Sequence, residues 1–326
     1  MDIFYPIQLF SDFISQSLFG LAKESYIGSS INFFVYDTIK IGLLLVAINY
    51  IMAVTRYYFP LEKARDILTR KRWFGLNYLM AAALGIVTPF CSCSSIPLFI
   101  GFLGARIPLG ITFAFLISSP LINESSLYLF PAMFGLKVTV LYNLFGLAVA
   151  VLSGMLIQRL KLEKYVLPEL FNFKSRAQVE MCNDGKKMAG RELAKYFWTD
   201  GMNITKKIFP YVVLGVGVGA IIHGFVPESL VIKYLSAKEW WTVPVAVILG
   251  APLYANSVSV LPIMEAMAGK GAPLGTVLAF MTAIVTLSIP EALILKKVMR
   301  WQLLAIFFGL TTVGIIIMGY LFNIIL

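Results

Sequence analysis

The fold is decided by the stretch Gly85-Ile-Val-Thr-Pro-Phe-Cys-Ser-Cys-Ser-Ser-Ile-Pro97, which interrupts a long apolar segment covering residues 73–104. Its thiols, hydroxyls and prolines are poorly suited to a plain helix in contact with lipid. Non-helical backbone at membrane depth is tolerated only where protein or a water-filled cavity satisfies its N–H and C=O groups. We therefore expect this stretch to line a path or a binding site.

The same pattern of glycines and prolines occurs a second time along the chain. Placing Gly85 on Gly250 aligns, without a gap, Ser92 with Ser257, Ser94 with Ser259, Pro97 with Pro262, Gly104 with Gly269, and Pro108-Leu-Gly110 with Pro273-Leu-Gly275. We call this alignment the Gly85–Gly250 register. Matching glycines and prolines are hard to obtain from apolar composition alone, so the sequence predicts two repeats of one unit. The thiols belong to the first copy only.

The composition predicts an integral membrane protein of helical type. Of the 326 residues, 59% are hydrophobic and 13% are charged, and the mean hydropathy is +0.83. Apolar runs of about 18 residues or more are typical of transmembrane helices, whereas membrane β-strands are short and alternate in polarity. The net charge of +10 comes from basic residues between the apolar runs. That distribution is an orientation signal and does not indicate nucleic-acid binding.

Apolar and polar segments divide the chain into four parts. Residues 1–30 are a lead-in expected at the membrane interface, and residues 31–158 form the first transmembrane repeat. Residues 159–207 are a basic linker, and residues 208–326 form the second transmembrane repeat. Each repeat is predicted to contain three spans and one re-entrant, broken helical hairpin. The expected fold is therefore an all-α polytopic membrane protein with about ten membrane segments.

The distribution of lysine and arginine predicts that the two repeats have inverted topology. If each broken segment returns to the side from which it entered, most of the 27 basic residues, including those of the linker, are cytoplasmic. If the broken segments crossed once, the linker would be external, against the positive-inside rule. We therefore expect a cytoplasmic linker, an external C-terminus, and two breaks that meet near the midplane, where many transporters bind substrate.

The two breaks carry the predicted substrate-binding residues. These are Cys91, Ser92, Cys93 and Ser94 in the first break and Asn256, Ser257 and Ser259 in the second. Thiols prefer soft partners such as trivalent arsenic or antimony, copper(I) or sulfur species, whereas hydroxyl and amide groups suit weakly bound polar solutes. We expect Cys91 and Cys93 to contact a soft metalloid without enclosing it, because a transported solute must be released. Ordinary helix packing is the alternative role for these cysteines and serines.

Two carboxylates and one amide are predicted to couple transport to a proton or another cation. Glu124, with its neighbour Asn123, and Glu291 follow Ser-Pro or Ser-x-Pro signals in spans of the two repeats, although aligning them requires a local gap. Ionisable groups at membrane depth are costly and usually functional. The alternative for both carboxylates is a position at the headgroup level, where Glu291 would lie beside Lys296.

Neither catalysis nor ATP-driven transport is predicted, and no cofactor is expected. The sequence contains no Walker motif, no dinucleotide-binding fingerprint and no catalytic triad arrangement. A membrane protein that exchanges thiols and disulfides through Cys91 and Cys93 remains an alternative from another class. Residues two apart have poor disulfide geometry, which counts against it.

The chain resembles the predicted permease family that includes the ArsP organoarsenical exporters. The resemblance lies in Thr88-Pro-Phe-Cys-Ser-Cys-Ser-Ser-Ile-Pro97, the Gly-x-x-x-Pro-Leu-Gly segment and Ala251-Pro-Leu-Tyr-Ala-Asn-Ser257, and it extends over residues 30–326. It implies a multi-pass permease of a prokaryotic plasma (inner) membrane, with Cys91 and Cys93 as substrate thiols. For the best-known members it implies export of trivalent organoarsenicals. Transport of another sulfur-containing or metalloid solute is the alternative within the family.

Overall fold

The computed structural model describes residues 5–15, 26–58, 75–87, 92–123, 125–167, 190–225, 239–253, 260, 264, 267–268 and 271–325. Within these ranges the all-α prediction is confirmed, since the chain is helical apart from turns and one isolated β-bridge. The helices are α1 (Tyr5–Phe13), α2 (Tyr26–Tyr58), α3 (Leu76–Val87), α4 (Ser92–Gly104), α5 (Leu109–Leu121), α6 (Phe130–Arg159), α7 (Gly190–Phe225), α8 (Thr242–Gly250), α9 (Leu274–Thr286), α10 (Ile289–Leu295) and α11 (Trp301–Ile325). A π-helical turn covers Ser125–Leu129, and a 3-10 helix covers Leu162–Tyr165.

Three helical stretches in the described ranges are long and apolar enough to cross a membrane. They are Ser30–Ile51, Ser126–Arg159 and Trp301–Ile325. Other apolar helices are shorter, and α5 and α9 have 13 residues each. A helix of that length extends over only about 20 Å, less than the roughly 30 Å of a bilayer's hydrocarbon core. The protein thus combines full-length spans with short apolar helices.

The boundaries of several helices differ from the simplest division of the sequence. The apolar segment at 73–104 contains two helices, since α3 ends at Val87 and α4 begins at Ser92. The apolar helix α5 ends at Leu121, one residue after Pro120. In the predicted linker, α7 already begins at Gly190. This early start is explained by an amphipathic pattern, in which Phe197 is buried while charged neighbours remain exposed.

Contacts divide the chain into two compact units. Unit 1 comprises Met1–Leu44, Ile208–Leu293 and Thr312–Leu326. Unit 2 comprises Leu45–Lys207 and Ile294–Thr311. Each unit therefore contains residues from both of the repeats that the sequence predicts.

The core of unit 2 joins α3, α4 and α5. Ala81 of α3, Phe102 of α4 and Phe115 of α5 are buried in one hydrophobic cluster. The rings of Phe102 and Phe115 meet edge to face, with centroids 5.1 Å apart. The two short helices on either side of residues 88–91 therefore pack on the same partner, α5.

In unit 1, α2 and α7 pack antiparallel. A Cβ added at Gly42 would lie 3.1 Å from the ring of Phe209, and a Cβ added at Gly217 would lie 3.6 Å from the ring of Phe34. As the residue number falls along α2, it rises along α7, which defines the opposite directions of the helices. The Gly85–Gly250 register places α2 on residues 191–223, which is nearly all of α7.

In unit 2, the other halves of α2 and α7 are also antiparallel. Asn49 Nδ2 donates a buried hydrogen bond to Thr205 Oγ1 at 3.0 Å. One position along α2, the ring of Tyr50 meets that of Phe197 edge to face at 6.4 Å. The helices approach closely at Gly201, where a Cβ would lie 3.1 Å from the backbone of Asn49. Small residues and a polar contact are typical of helix pairs in membranes.

The turns that precede α5 and α9 have matching backbone geometry. Arg106 has a φ of +58° and Gly271 a φ of +81°, and these two residues coincide in the Gly85–Gly250 register. Each turn contains the same two hydrogen bonds. In one, Ile107 N donates to Phe102 O and Ala272 N donates to Met267 O, both at 3.0 Å. In the other, Arg106 N and Gly271 N each donate to the carbonyl three residues earlier. This is the Schellman arrangement that ends many helices.

Glycine pairs allow two further matching helix contacts. In unit 2, a Cβ added at Gly110 of α5 would overlap the carbonyl oxygen of Gly154 in α6. In unit 1, a Cβ added at Gly275 of α9 would overlap the carbonyl oxygen of Gly319 in α11. These pairs coincide in the same register. Only glycine permits such a close approach of two backbones.

Hydrogen bonds connect α1 to α2, and connect the segment after α6 to the segment before α11. In unit 1, Asn32 of α2 donates to Asp12 Oδ1 at 2.7 Å, which holds α1 by its polar side while Phe10 and Phe13 stay exposed. In unit 2, the chain after α6 forms an antiparallel bridge between Val166 and Met299, and Arg300 N donates to Tyr165 O at 2.8 Å. The interfacial position expected for residues 1–30 stays a prediction.

Candidate substrate and coupling site

The first predicted break lies between α3 and α4. Cys91 lies outside the described residues. Ser92, Cys93 and Ser94 form the first turn of α4, but their side chains also lie outside the described part of the chain. Ser92, Cys93 and Ser94 therefore begin a short helix, and the preceding helix ends at Val87.

The residue that follows this run has a defined partner. Ser95 and Ser119 are hydrogen-bonded through their hydroxyl groups, with an Oγ–Oγ distance of 2.6 Å. Both side chains are buried, with exposed fractions of 0% and 2%. The bond connects the first turn of α4 to the last turn of α5. Ser95 belongs to the Cys-Ser-Cys-Ser-Ser run, but no pattern in the sequence identifies Ser119 as its partner.

A second polar cluster begins where α5 ends. Ile122 N donates to Ser118 O at 2.9 Å, and Asn123 then turns the chain into the π-helical segment. Asn123 Oδ1 accepts a bond from Ser126 N at 3.0 Å. The Ser126 hydroxyl bonds in turn to Asn143 Oδ1 of α6 at 2.9 Å. This cluster includes the predicted coupling candidate Asn123, whereas Glu124 lies outside the described residues.

Asn143 was missed by sequence reasoning. Its amide also donates to Thr139 O at 2.9 Å, so it bonds both to its own helix and to the π-helical turn. An asparagine in the middle of an apolar helix is the signal that could have identified it, since a buried amide needs hydrogen-bond partners.

The second predicted break begins at the end of α8. Ala251 N donates to Val247 O at 2.9 Å, and Leu253 N donates to Gly250 O at 3.0 Å, so the helix ends in a turn that includes Pro252. Gly250 packs against the Phe280 carbonyl of α9, as Gly85 packs against that of Phe115. The predicted site residues Asn256, Ser257 and Ser259 lie outside the described residues.

A third interruption separates α9 from α10. Leu287 and Ser288 leave the helix, and Ser288 Oγ accepts a bond from Glu291 N at 3.3 Å. Glu291 is buried, with an exposed fraction of 1%. Its position at membrane depth stays a prediction. The buried hydroxyl of Thr286, at the end of α9, has no hydrogen-bond partner among the described residues.

The caps at the two span interruptions match without a gap. Asn123 caps Ser126 N in one repeat, and Ser288 caps Glu291 N in the other. Both pairs obey the Gly85–Gly250 register, which therefore places Glu291 on Ser126. Aligning Glu124 with Glu291 still requires the local gap noted in the sequence, so these two carboxylates do not occupy equivalent positions. A carboxylate occupies one repeat at the position where the other has a hydroxyl.

One cavity lies away from these residues. It has a volume of about 400 Å³ and is lined by Arg106, Ile107, Glu163 and neighbouring apolar residues of unit 2. It adjoins the turn after α4, at the opposite end of that helix from Ser92. None of the predicted site residues lines it.

Comparison with known proteins identifies the family. The ArsP_1 family model, described as a predicted permease, matches residues 27–324. The chain belongs to this permease family. A relative from Methanocaldococcus jannaschii, the UPF0718 protein MJ0584, is 23% identical over 312 residues, which cover 78% of this chain and 86% of the relative. No solved structure matches the chain.

Family membership confirms the resemblance drawn from the Cys-Ser-Cys-Ser motif. Together with the apolar helices, it supports membrane transport of a small molecule. The permease family match extends over both predicted repeats and over the linker between them. The residues of both breaks are therefore part of the region that the family shares.

Proposed function

We propose that this permease exports trivalent organoarsenicals across a prokaryotic plasma membrane. The observation that carries the proposal is the thiol run Cys91-Ser-Cys93, whose Ser92 and Cys93 begin the short apolar helix α4, while the short apolar helix α3 precedes it in sequence. Cys91 and Cys93 act as soft contacts to arsenic. Ser92, Ser94, Asn256, Ser257 and Ser259 contribute weaker polar contacts.

A two-thiol site suits the chemistry of the proposed cargo. Trivalent arsenic with one organic substituent has two exchangeable positions, which two thiols can occupy. A fuller cage of soft ligands would hold a metalloid too tightly for release. The organic substituent is stabilised by the apolar surroundings of a membrane helix. Arsenite has no such substituent and does not gain this stabilisation. We therefore expect organoarsenicals to be preferred over arsenite.

Inverted repeats provide the proposed route across the membrane. The antiparallel packing of α2 and α7, which coincide in the Gly85–Gly250 register, supports opposite orientations for the two repeats. The lengths of α3, α4 and α8 support re-entrant hairpins, since none is long enough to cross the bilayer. In this arrangement the linker is cytoplasmic and the C-terminus is external. The substrate site between the two hairpin tips opens alternately to the two sides of the membrane.

The proposed coupling group is Glu291. A buried carboxylate in a membrane protein usually belongs to an ion or proton pathway. Glu291 lies where α9 is interrupted, which is a common place for a coupling site in transporters. Asn123 and Glu124 are the proposed coupling candidates of the first repeat. No nucleotide is required in this scheme, because the gradient of the coupling ion supplies the energy.

Resistance and uptake measurements test the substrate. An arsenic-sensitive bacterial host expressing the protein is challenged with methylarsenite, arsenite, antimonite and thiosulfate, and uptake is measured in everted membrane vesicles. We expect methylarsenite resistance and uptake with the wild type and loss of both with Cys91→Ala or Cys93→Ala. Cys182→Ala is the matched control, because this third cysteine lies in the linker, and it should behave as the wild type.

The outcomes separate the proposal from its alternatives. Equal growth and uptake for wild type and Cys91→Ala with all four compounds would refute the arsenical assignment. Cysteine-dependent uptake of thiosulfate alone would favour a sulfur-containing solute. A protein that exchanges disulfides with a small thiol reagent, but moves none of the four compounds, would favour the redox alternative.

A further inference from the structure

A hydroxyl pair attaches the thiol-bearing end of α4 to the end of α5. Ser95 lies four residues after Cys91 and two after Cys93, in the first turn of α4. Its hydroxyl is 2.6 Å from that of Ser119. Ser119 precedes by one turn the interruption at Ile122 and Asn123. The bond thus joins the proposed substrate contacts to the interrupted span.

The second repeat shows that packing at these two positions does not need hydroxyl groups. In the Gly85–Gly250 register, Val260 occupies the position of Ser95, and Ile284 occupies that of Ser119. Both are buried, with exposed fractions of 1% and 2%. Replacing both partners of a hydrogen bond by apolar groups is often neutral or stabilising. Stability alone therefore does not account for the hydroxyl pair in the repeat that carries the thiols.

A hydrogen bond restricts α4 in a way that apolar contacts do not. It depends on direction as well as distance, so it defines the rotation of the first turn of α4 about its axis. Apolar side chains tolerate small rotations and shifts, because dispersion contacts are not directional. The backbone that carries Cys93 belongs to the same helical turn as Ser95. Fixing the rotation of that turn therefore fixes the backbone of Cys93.

We propose that the Ser95–Ser119 bond is a positioning element that presents Cys91 and Cys93 to a trivalent organoarsenical. This inference rests on the proposed function. Neither serine contacts arsenic, and both act through the orientation of α4. Two thiols bind one arsenic atom tightly only when both are presented at a suitable separation, so a loosened turn weakens the bidentate contact.

The experiment replaces the pair by its counterpart from the second repeat. The purified variant Ser95→Val/Ser119→Ile, in a Cys182→Ala background, is compared with its parent in three measurements. These are the affinity for phenylarsine oxide, the rate of thiol alkylation by a maleimide, and the thermal unfolding temperature. We expect an unchanged unfolding temperature, about tenfold weaker arsenical binding and an altered alkylation rate. In vesicles, KM for methylarsenite should rise while the maximal rate is retained.

Two single variants provide the matched comparison. Ser119→Thr keeps the hydroxyl and should retain the parent's affinity, whereas Ser119→Ala should lose it. Ser118→Ala removes a buried hydroxyl in the same turn that bonds only within α5, to Phe115 O at 3.0 Å. It should leave both the affinity and the alkylation rate unchanged. These single variants also decide the question if the double variant does not fold.

The results distinguish a failure of this inference from a failure of the proposed function. If the parent binds phenylarsine oxide and the Ser95 and Ser119 variants match it in affinity and alkylation rate, the positioning role is wrong. If the parent neither binds nor transports arsenicals, the proposed function is wrong. The alkylation rates then still decide the positioning role, because they do not depend on the cargo.

Discussion

The interruptions after α5 and after α9 share a backbone frame but differ in chemistry. Each follows a 13-residue helix that begins after a proline, and each is capped by a side chain three residues before the capped N–H. After α5, Ser126 bonds to Asn143. After α9, the same position holds the buried carboxylate of Glu291. The two repeats therefore tolerate a polar group at the same position, with a hydrogen-bonded hydroxyl in one and the carboxylate that we propose for ion coupling in the other.

A larger side chain at the close glycine contacts should destabilise the helix packing in either repeat. Gly110→Val and Gly275→Val each place atoms where a neighbouring carbonyl lies. We expect each change to lower the free energy of unfolding by at least about 3 kcal/mol, because neither backbone can move without separating two helices. The measurement is the yield of monodisperse protein after extraction.

Gly309→Ala is the control for that experiment. A Cβ at this position meets nothing within 4 Å. Its yield should match the wild type. Normal yield for Gly110→Val but not for Gly275→Val would show that the two frames are not energetically alike.

Chemical asymmetry should appear in transport. Glu291→Gln keeps the shape of the side chain but removes its charge, so we expect gradient-driven uptake of methylarsenite to fall by about tenfold or more. Exchange of methylarsenite across the vesicle membrane without a gradient should persist. Ser126→Ala, at the matching position, should retain gradient-driven uptake. A Glu291→Gln protein with full gradient-driven uptake would remove the carboxylate from the coupling scheme.

The hydrogen bonds between Ser126 and Asn143 should contribute to the free energy of unfolding. Asn143→Ala leaves the Ser126 hydroxyl and nearby carbonyls with fewer partners, so we expect a loss of about 1–3 kcal/mol in the free energy of unfolding. Thermal unfolding of the purified protein would detect it. Asn323→Ala removes a single bond to Thr276, of 3.2 Å, and should cost less. Equal losses for both variants would show that Asn143 is not a special anchor.

The smallest expected effect concerns the turns before α5 and α9. Arg106 has a left-handed φ of +58°, which is unfavourable for residues with a Cβ. Arg106→Gly should therefore raise the free energy of unfolding by up to about 1 kcal/mol, and Gly271→Ala should lower it by about the same amount. Arg106→Ala removes the side chain but keeps the strain, and so it should not stabilise the protein. If Arg106→Ala is also stabilised, the stabilisation by Arg106→Gly comes from losing the side chain and not from relieving the backbone strain.

The repeated positions of proline and glycine were the most predictable feature. Proline and glycine disturb helices through their own backbone chemistry, so Pro108, Pro273 and the Gly85–Gly250 register could be identified from the sequence alone. The early start of α7 was not predicted, because charged residues at the ends of a span resemble a polar linker. Its helical state depends on the buried contacts of Phe197 and Thr205 with α2.

Site chemistry was predictable only where it is local in sequence. The Cys-Ser-Cys-Ser run could be chosen as a candidate site from the sequence alone, because thiols and hydroxyls between two prolines are unusual in an apolar segment. The Ser95–Ser119 and Ser126–Asn143 bonds join residues that are far apart in sequence, so their pairing depends on how the helices pack. The match between Glu291 and Ser126 became evident only from the caps, since the side chains at these positions differ in type.

The bridge between Val166 and Met299 has a consequence for dividing the chain into two pieces. The first few residues beyond α6 form a seam with the stretch that joins α10 to α11, and Leu167 N adds a bond to Val298 O at 3.2 Å. A cut inside Leu162–Tyr165 leaves both sides of this seam in the C-terminal fragment, so the seam cannot join the two fragments. A cut beyond Leu167 leaves Val166 in the N-terminal fragment and Met299 in the C-terminal one, so the seam links the fragments, and co-expressed halves should reassemble only with the later cut.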